Sequence, residues 1–392
     1  MTASSEFPAA IRVGDIVYVG GRNAGDPVAG IESQTATAFE RLVATLAAAG
    51  ASMGDLVNLR TYYVYDGEGG RDVTDYWERM TEVRIRYIAD PGPAATALRV
   101  RGVPARADLL GVDGIAATGA DRQRIMPEHA WDWSIPVTLS QGWRIGDRIY
   151  VGGQISADRK GKAIALGDIR GQTRNALEYI RHVLADGGMD WRDVVHMRIC
   201  FQHRGQQAAA RRLLAEIMAE VRETLPEPRP ALNAFGVDLL YEGLVLEIDA
   251  VARKGGKTPL YPAGSGDWIA IDGFPAACRA GDELYVGGLS APGGASLQAQ
   301  VEATCDRLAA CLAAGGFEAE DLVKLTLFIV ADADEARAAE DRRTVTALVR
   351  QYLPGPGPVV TLLTLTGLPH DGQRFQLDGV AVRGGDRLHI ED

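Results

Sequence analysis

The chain has few of the residues that build disulfide frameworks and metal centres. It holds four cysteines in 392 residues, none of them in a C-x-x-C pair, and its six histidines show no metal-ligand spacing. A disulfide framework and a zinc site are therefore not expected. We expect a reduced, cytoplasmic protein that uses no metal and no cofactor.

Positive charge and long apolar runs are scarce as well. The formal net charge is −11, which argues against the basic face that a nucleic-acid partner requires. No run approaches the roughly 18 apolar residues that span a bilayer, and residues 1–6 lack the basic and apolar character of a targeting signal, so no membrane partner is expected. Apolar residues still make up 46% of the chain, enough to bury the cores of a globular protein.

The sequence contains one nine-residue motif three times. VGDIVYVGG at 13–21 returns as IGDRIYVGG at 145–153 and as AGDELYVGG at 280–288. This period is far longer than the unit of a solenoid and matches the length of a small domain. Three related domains are therefore predicted, at 1–118, 137–253 and 271–385, with joining segments at 118–136 and 253–273.

Each copy predicts the same order of elements. In the first copy, helical spacing near 34–50 predicts a helix, and alternation at 55–60 predicts a strand after it. A second helix near 73–88 ends in a Pro-rich turn, and two strands finish the unit. The predicted fold class is α+β, with helices on one face of each sheet. Because no helix remains for the other face, three such faces are expected to meet in an intramolecular pseudo-trimer, sheets inside and helices outside.

These motifs, in this order, resemble the RidA/YjgF family of imine and enamine deaminases. They include the V-G-D-x-x-Y-V-G-G phrase, the D-V-V strand, the Pro-rich turn and a terminal strand such as LEIDAVA at 246–252. The resemblance implies three tandem chorismate-mutase-like domains and a small-molecule cleft at each boundary between units. It also implies a covalently joined trimer with three non-equivalent clefts, present as a monomer or as a small assembly of whole pseudo-trimers.

The chemistry that the resemblance implies needs a cation for the substrate carboxylate, backbone N–H donors, and an acidic side chain that positions or activates water. The family takes the cation from a P-A-R turn, where this chain has Ala95, Leu232 and Val360. In the second copy the acid corresponds to Glu247, and the equivalent positions of the other two copies are Gly111 and Gln376. Glu247 is therefore the candidate catalytic residue, and feeble hydrolysis of the usual amino-acid-derived imines is expected. A solvated strand residue is the alternative interpretation of Glu247.

Three polar positions of the second copy are candidates for substrate binding. Gly153 belongs to the Gly-Gly turn and could offer a backbone donor. Gln154 and Asn233 are expected to line the same pocket as neutral hydrogen-bonding groups.

Two cations and two aromatic residues complete the set of binding candidates. Arg99 and Arg101 lie on the strand face where the missing arginine would project, so either could supply a displaced cation. Solvated strand-end charges are the alternative interpretation. In the family, an aromatic residue of one unit contributes to the cleft at the boundary with the neighbouring unit. Phe7 and Phe274 occupy the corresponding positions here.

Two functions remain open on this basis. The first is a divergent hydrolase or deaminase that acts on a small imine, enamine or amide at a cleft between repeats. The second is a non-catalytic module that binds a small molecule or regulates another protein. An endoribonuclease activity, which is sometimes attributed to the family, is disfavoured by the net charge of −11.

Overall fold

A computed structural model describes residues 7–25, 30–65, 67, 72–104, 108–119, 121–132, 137–268, 271–291, 294–330 and 332–391. Over these ranges the chain forms three six-stranded mixed sheets and six α-helices. The α+β prediction with three tandem chorismate-mutase-like domains is confirmed.

Five strands and two helices form the first repeat. They are β1 (Ala10–Val13), β2 (Ile16–Asn23), α1 (Ile31–Ala48), β3 (Leu56–Tyr63), α2 (Val73–Arg84), β4 (Ala94–Arg99) and β5 (Leu110–Ala117).

The second repeat and the segment before it contain six strands and two helices. They are β6 (Arg122–Ile125), β7 (Gly142–Ile145), β8 (Arg148–Gln154), α3 (Ile169–Asp186), β9 (Val194–Gln202), α4 (Gln207–Thr224), β10 (Ala231–Val237) and β11 (Leu246–Arg253).

The third repeat has the same order and a strand at each end. Its elements are β12 (Thr258–Leu260), β13 (Ala277–Ala280), β14 (Glu283–Ser290), α5 (Leu297–Gly315), β15 (Leu322–Val330), α6 (Glu335–Gln351), β16 (Val359–Leu365), β17 (Phe375–Val382) and β18 (Arg387–Ile390).

The sixth strand of each sheet does not belong to the repeat that forms the other five strands. It lies in the segment that follows a different repeat. β6 follows the first repeat and pairs with β7, and β12 follows the second repeat and pairs with β13. β18 follows the third repeat and pairs antiparallel with β1 of the first repeat. The backbone therefore closes the three repeats into a ring. The sequence did not predict these three strands.

The helices cover one face of each sheet, and the sheets cover one another with the opposite face. Three separate clusters pack the helices of a repeat on its own sheet. Two more clusters contain residues from all three sheets, among them the repeated tyrosines Tyr18, Tyr150 and Tyr285. The predicted arrangement, with sheets inside and helices outside, follows directly from these cores.

A cycle of buried ion pairs links the repeats near their shared axis. In each pair, a cation of one repeat contacts the aspartate that recurs in the last strand of the next repeat. The pairs are Arg60–Asp249 at 3.1 Å, Arg198–Asp378 at 2.6 Å and Lys324–Asp113 at 3.0 Å. The recurring aspartates therefore join the repeats.

Over the described ranges, no helix is long and apolar enough to cross a membrane. The four cysteines are free and buried. The same ranges contain no cluster of three or more His, Cys, Asp or Glu side chains that could hold a metal ion.

Candidate functional site

The Gly-Gly strand of each repeat meets the edge strand of the preceding repeat. A Cβ atom at Gly152 would lie 2.9 Å from both the backbone nitrogen and oxygen of Ala95, so glycine allows β8 and β4 to approach closely. Equivalent contacts are Gly287 with Leu232 and Gly20 with Val360. The three positions that lack the family's arginine therefore lie at the three boundaries.

A cavity at the boundary of the first and second repeats contains Glu247. We call it the Glu247 cavity. The Glu247 side chain projects from β11 over Gly153, where any Cβ atom would collide with its carboxyl group. The carboxyl accepts a hydrogen bond from the backbone N–H of Ala97. The Gly153 N–H donates to Thr96 Oγ1 at 3.0 Å, so two repeats together fix this end of the cavity.

The electrostatic environment favours the neutral form of Glu247. Burial, and then the nearby Asp249 carboxylate, raise the pKa of Glu247 to about 8, although the Ala97 N–H acts in the opposite direction. The carboxyl is therefore mostly protonated at neutral pH. It can donate a proton and then accept one, which is the property of a general acid and base.

The remaining walls are apolar apart from one arginine. Trp77 and Arg84 come from α2, and Trp131 comes from the segment that joins the first two repeats. Six larger aliphatic side chains also line the cavity, namely Val137, Leu139, Ile155, Leu239, Leu240 and Leu244. Arg84 and Glu247 are thus the charged residues in the wall.

Sequence reasoning did not single out Arg84, although a signal was present. Trp77, Met80 and Arg84 are spaced at i, i+3 and i+7, which places all three on the buried face of α2. A charged residue on an apolar helix face is the pattern that could have identified it.

The boundary of the third and first repeats has a different lining. Its cavity has an empty volume of about 780 Å³ and is lined by Phe7, Arg22, Arg41 and Val360, among others. Gly111 pairs with Tyr62 as Glu247 pairs with Cys200, so Gly111 occupies the position equivalent to Glu247. Glycine has no side chain, so no carboxyl projects from this position.

The boundary of the second and third repeats is filled by amide side chains. Gln376 occupies the position of Glu247, and its Nε2 atom donates to Asn233 Oδ1 at 2.5 Å. Asn233 Nδ2 donates to Asp378 Oδ2 at 2.6 Å. A Cβ atom at Gly288 would lie only 2.6 Å from Asn233 Oδ1.

Of the predicted polar candidates, the structure brings Gly153 to Glu247. It does not bring Asn233 there, because β10 faces the third repeat. Gln154 is fully buried behind the wall, with its Nε2 atom donating to Gln141 Oε1 at 2.9 Å. The Gly153 N–H is already used by Thr96, so it offers no free donor to a ligand in this state.

The predicted cations and aromatics also lie outside the Glu247 cavity. Arg99 forms an ion pair with Asp238 at 3.0 Å, and both line a separate cavity with Arg101 where the three repeats meet. Phe7 lines the cavity between the third and first repeats, and Phe274 packs in the core of the second repeat.

Three related domains with outer helices, inner sheets and cavities at two of their boundaries define a chorismate-mutase-like pseudo-trimer. The chain belongs to the RidA/YjgF family. The family model described as endoribonuclease L-PSP matches residues 1–118 and 135–254, more than half of the chain. The third repeat shares the sheet order of the other two.

The curated relatives correspond to about one repeat. The 3-aminoacrylate deaminase RutC of Acinetobacter baylyi is 31% identical over 105 residues, covering 27% of this chain and 78% of that protein. A RutC family protein of Pyrococcus horikoshii is 31% identical over 115 residues, covering 29% and 86%.

Two solved structures illustrate the structural likeness. RidA from an Antarctic Psychrobacter has 23% identity and a TM-score of 0.28, and the match covers 33% of this chain and 98% of that chain. A chorismatase has 17% identity and a TM-score of 0.46, and the match covers 62% and 75%.

Proposed function

We propose that the Glu247 cavity hydrolyses the C=N bond of a small imine, or of an enamine through its imine form. The observation that carries the proposal is a buried carboxyl in a cavity wall whose pKa lies near neutrality. The family relation to a 3-aminoacrylate deaminase supports the reaction class. Neither of the other two boundaries offers a carboxyl at the equivalent position.

The proposed reaction uses Glu247 in two roles. The protonated carboxyl gives its proton to the imine nitrogen, which makes the imine carbon more electrophilic. Water then attacks that carbon while the Glu247 carboxylate accepts a proton from the water. Transfer of this proton to the amine nitrogen lets the C–N bond break and releases ammonia. The hydroxyl proton returns to the Glu247 carboxylate as the carbonyl compound forms. Each cycle consumes one water molecule and restores the protonated carboxyl.

The walls of the cavity suit this chemistry. The apolar side chains limit access of bulk water and keep the carboxyl desolvated, which maintains the raised pKa. The Ala97 N–H holds one carboxyl oxygen in place, so the proton can be presented in a fixed direction. A protein that only binds a ligand would need the cavity but not this acid.

The test is ammonia release from imines that a flavin-dependent amine oxidase generates in situ from primary amines, measured with the wild type and with Glu247→Gln. Loss of a general acid and base should slow hydrolysis at least about 100-fold. Glu242→Gln is the matched control, because Glu242 is exposed in the loop before β11. Equal rates for wild type and Glu247→Gln would refute the catalytic role. Ligand binding without turnover by the wild type would favour the binding module.

A further inference from the structure

Arg84 is a buried cation that has no counter-ion among the residues that the structure describes. Its side chain is in the wall of the Glu247 cavity and the residue is only 4% exposed. Its Nε atom has no hydrogen-bond partner, and Nη2 makes one long hydrogen bond, to the carbonyl oxygen of Thr138 at 3.4 Å. Burial lowers the pKa of Arg84 to about 10, so the guanidinium still carries its charge at neutral pH.

Two other buried arginines have carboxylate partners. Arg60 contacts Asp249 at 3.1 Å, and Arg198 contacts Asp378 at 2.6 Å. Among the described residues, no carboxylate pairs with Arg84. An unpaired buried charge destabilises a fold strongly, so its presence in a cavity wall indicates that a ligand supplies the anion.

The walls of the cavity constrain the ligand that carries that anion. Apart from Arg84 and Glu247, the walls consist mainly of apolar side chains, including Trp77, Trp131 and Leu139. The ligand is therefore expected to carry an apolar body as well as the anion.

We propose that the Glu247 cavity binds an organic carboxylate with an apolar body, with Arg84 holding the carboxylate. The inference rests on the proposed function for the reacting bond, but binding of the carboxylate needs no turnover. The carboxylate would form charge-assisted hydrogen bonds with the guanidinium, and the apolar body would pack on the aromatic and aliphatic side chains of the wall.

The experiment measures binding of an unreactive carboxylate, 3-phenylpropionate, to the whole protein by calorimetry. Its neutral amide, 3-phenylpropionamide, tests the need for charge, and pyruvate tests the need for an apolar body. The wild type should prefer 3-phenylpropionate to both by about 10-fold or more, because a carboxylate can form charge-assisted hydrogen bonds with the guanidinium.

Variants of Arg84 assign the preference to this residue. Arg84→Met should weaken binding of 3-phenylpropionate by about 10- to 100-fold and leave the amide unaffected, and Arg84→Lys should retain part of the affinity. Arg86→Met is the matched control, since Arg86 is an exposed arginine two residues away. Melting curves establish that the variants are folded.

Three results would overturn the inference. They are equal affinity of wild type and Arg84→Met for 3-phenylpropionate, equal affinity of wild type for the carboxylate and its amide, and binding of pyruvate as tight as that of 3-phenylpropionate. The wild-type comparisons decide the matter even if Arg84→Met does not fold. Glu247→Gln separates the two proposals: it should abolish turnover but retain 3-phenylpropionate binding.

Discussion

The raised pKa of Glu247 has a consequence for stability that Glu247→Gln can measure. The group has a pKa of about 8 in the folded protein against an ordinary value of 4.5. Both the folded and the unfolded chain are protonated below pH 4.5, so the residue costs nothing there. As the pH rises from 4.5 to 8, the unfolded chain ionises and the folded protein does not, so the wild type loses stability over this window.

The size of the loss follows from the width of the window. Each pH unit corresponds to about 1.4 kcal/mol, so the loss reaches about 3 kcal/mol at pH 7 and about 5 kcal/mol above pH 8. Glutamine has nearly the same shape and cannot ionise. Glu247→Gln should therefore be more stable than the wild type, with a difference that grows from pH 4.5 to pH 8.

Urea denaturation followed by tryptophan fluorescence at several pH values measures this difference. Glu242→Gln, which changes an exposed glutamate, should follow the wild type at every pH. If the difference between Glu247→Gln and wild type did not depend on pH, Glu247 would titrate normally. The argument for a neutral acid in the cavity would then be wrong.

Three further predictions concern the scaffold. Arg198→Met should lower the free energy of unfolding by about 3–5 kcal/mol, because Asp378 loses its buried partner, whereas the exposed Arg212→Met should have little effect in the same urea titration. Burial lowers the pKa of His196 to about 4, so between pH 6.5 and pH 4 only the unfolded chain gains this proton and the folded protein loses stability. His196→Asn, which introduces the residue found at the equivalent Asn58 of the first repeat, should reduce this loss. A variant with the same pH profile of stability as the wild type would contradict the prediction. Ending the chain at residue 386 should lower the melting temperature by a few degrees, because β1 loses its pairing with β18. An unchanged melting temperature would show that the β1–β18 pairing does not stabilise the ring of repeats.

The repeated motif predicted much of the fold because matching residues of the three copies occupy equivalent positions in the three sheets. Glu247, Gly111 and Gln376 occupy equivalent positions of the three last strands, opposite Cys200, Tyr62 and Phe328. The family resemblance identified the position of the acid, and comparing the copies showed that only the second one carries it. The strongly periodic helices and buried strands followed from the same comparison.

Other features depend on contacts that no local pattern contains. Asn233 lies in the same repeat as Glu247, but its edge strand faces the following repeat, so the two residues serve different boundaries. Arg84 lies on a helix rather than on the strand that carries the family's cation. β18 is four residues long, and its pairing with β1 joins the segment after the third repeat to the first repeat. Sequence comparison identifies equivalent positions but does not show which neighbour each position contacts.

The central claim is that the three boundaries have diverged and that the Glu247 cavity is the functional one. A crystal structure of the protein with 3-phenylpropionate tests it most directly. The ligand should lie between the first and second repeats, with its carboxylate at Arg84 and its apolar body extending toward Glu247. Binding at the cavity of Arg22 and Arg41 instead, with the Glu247 cavity empty, would contradict the assignment.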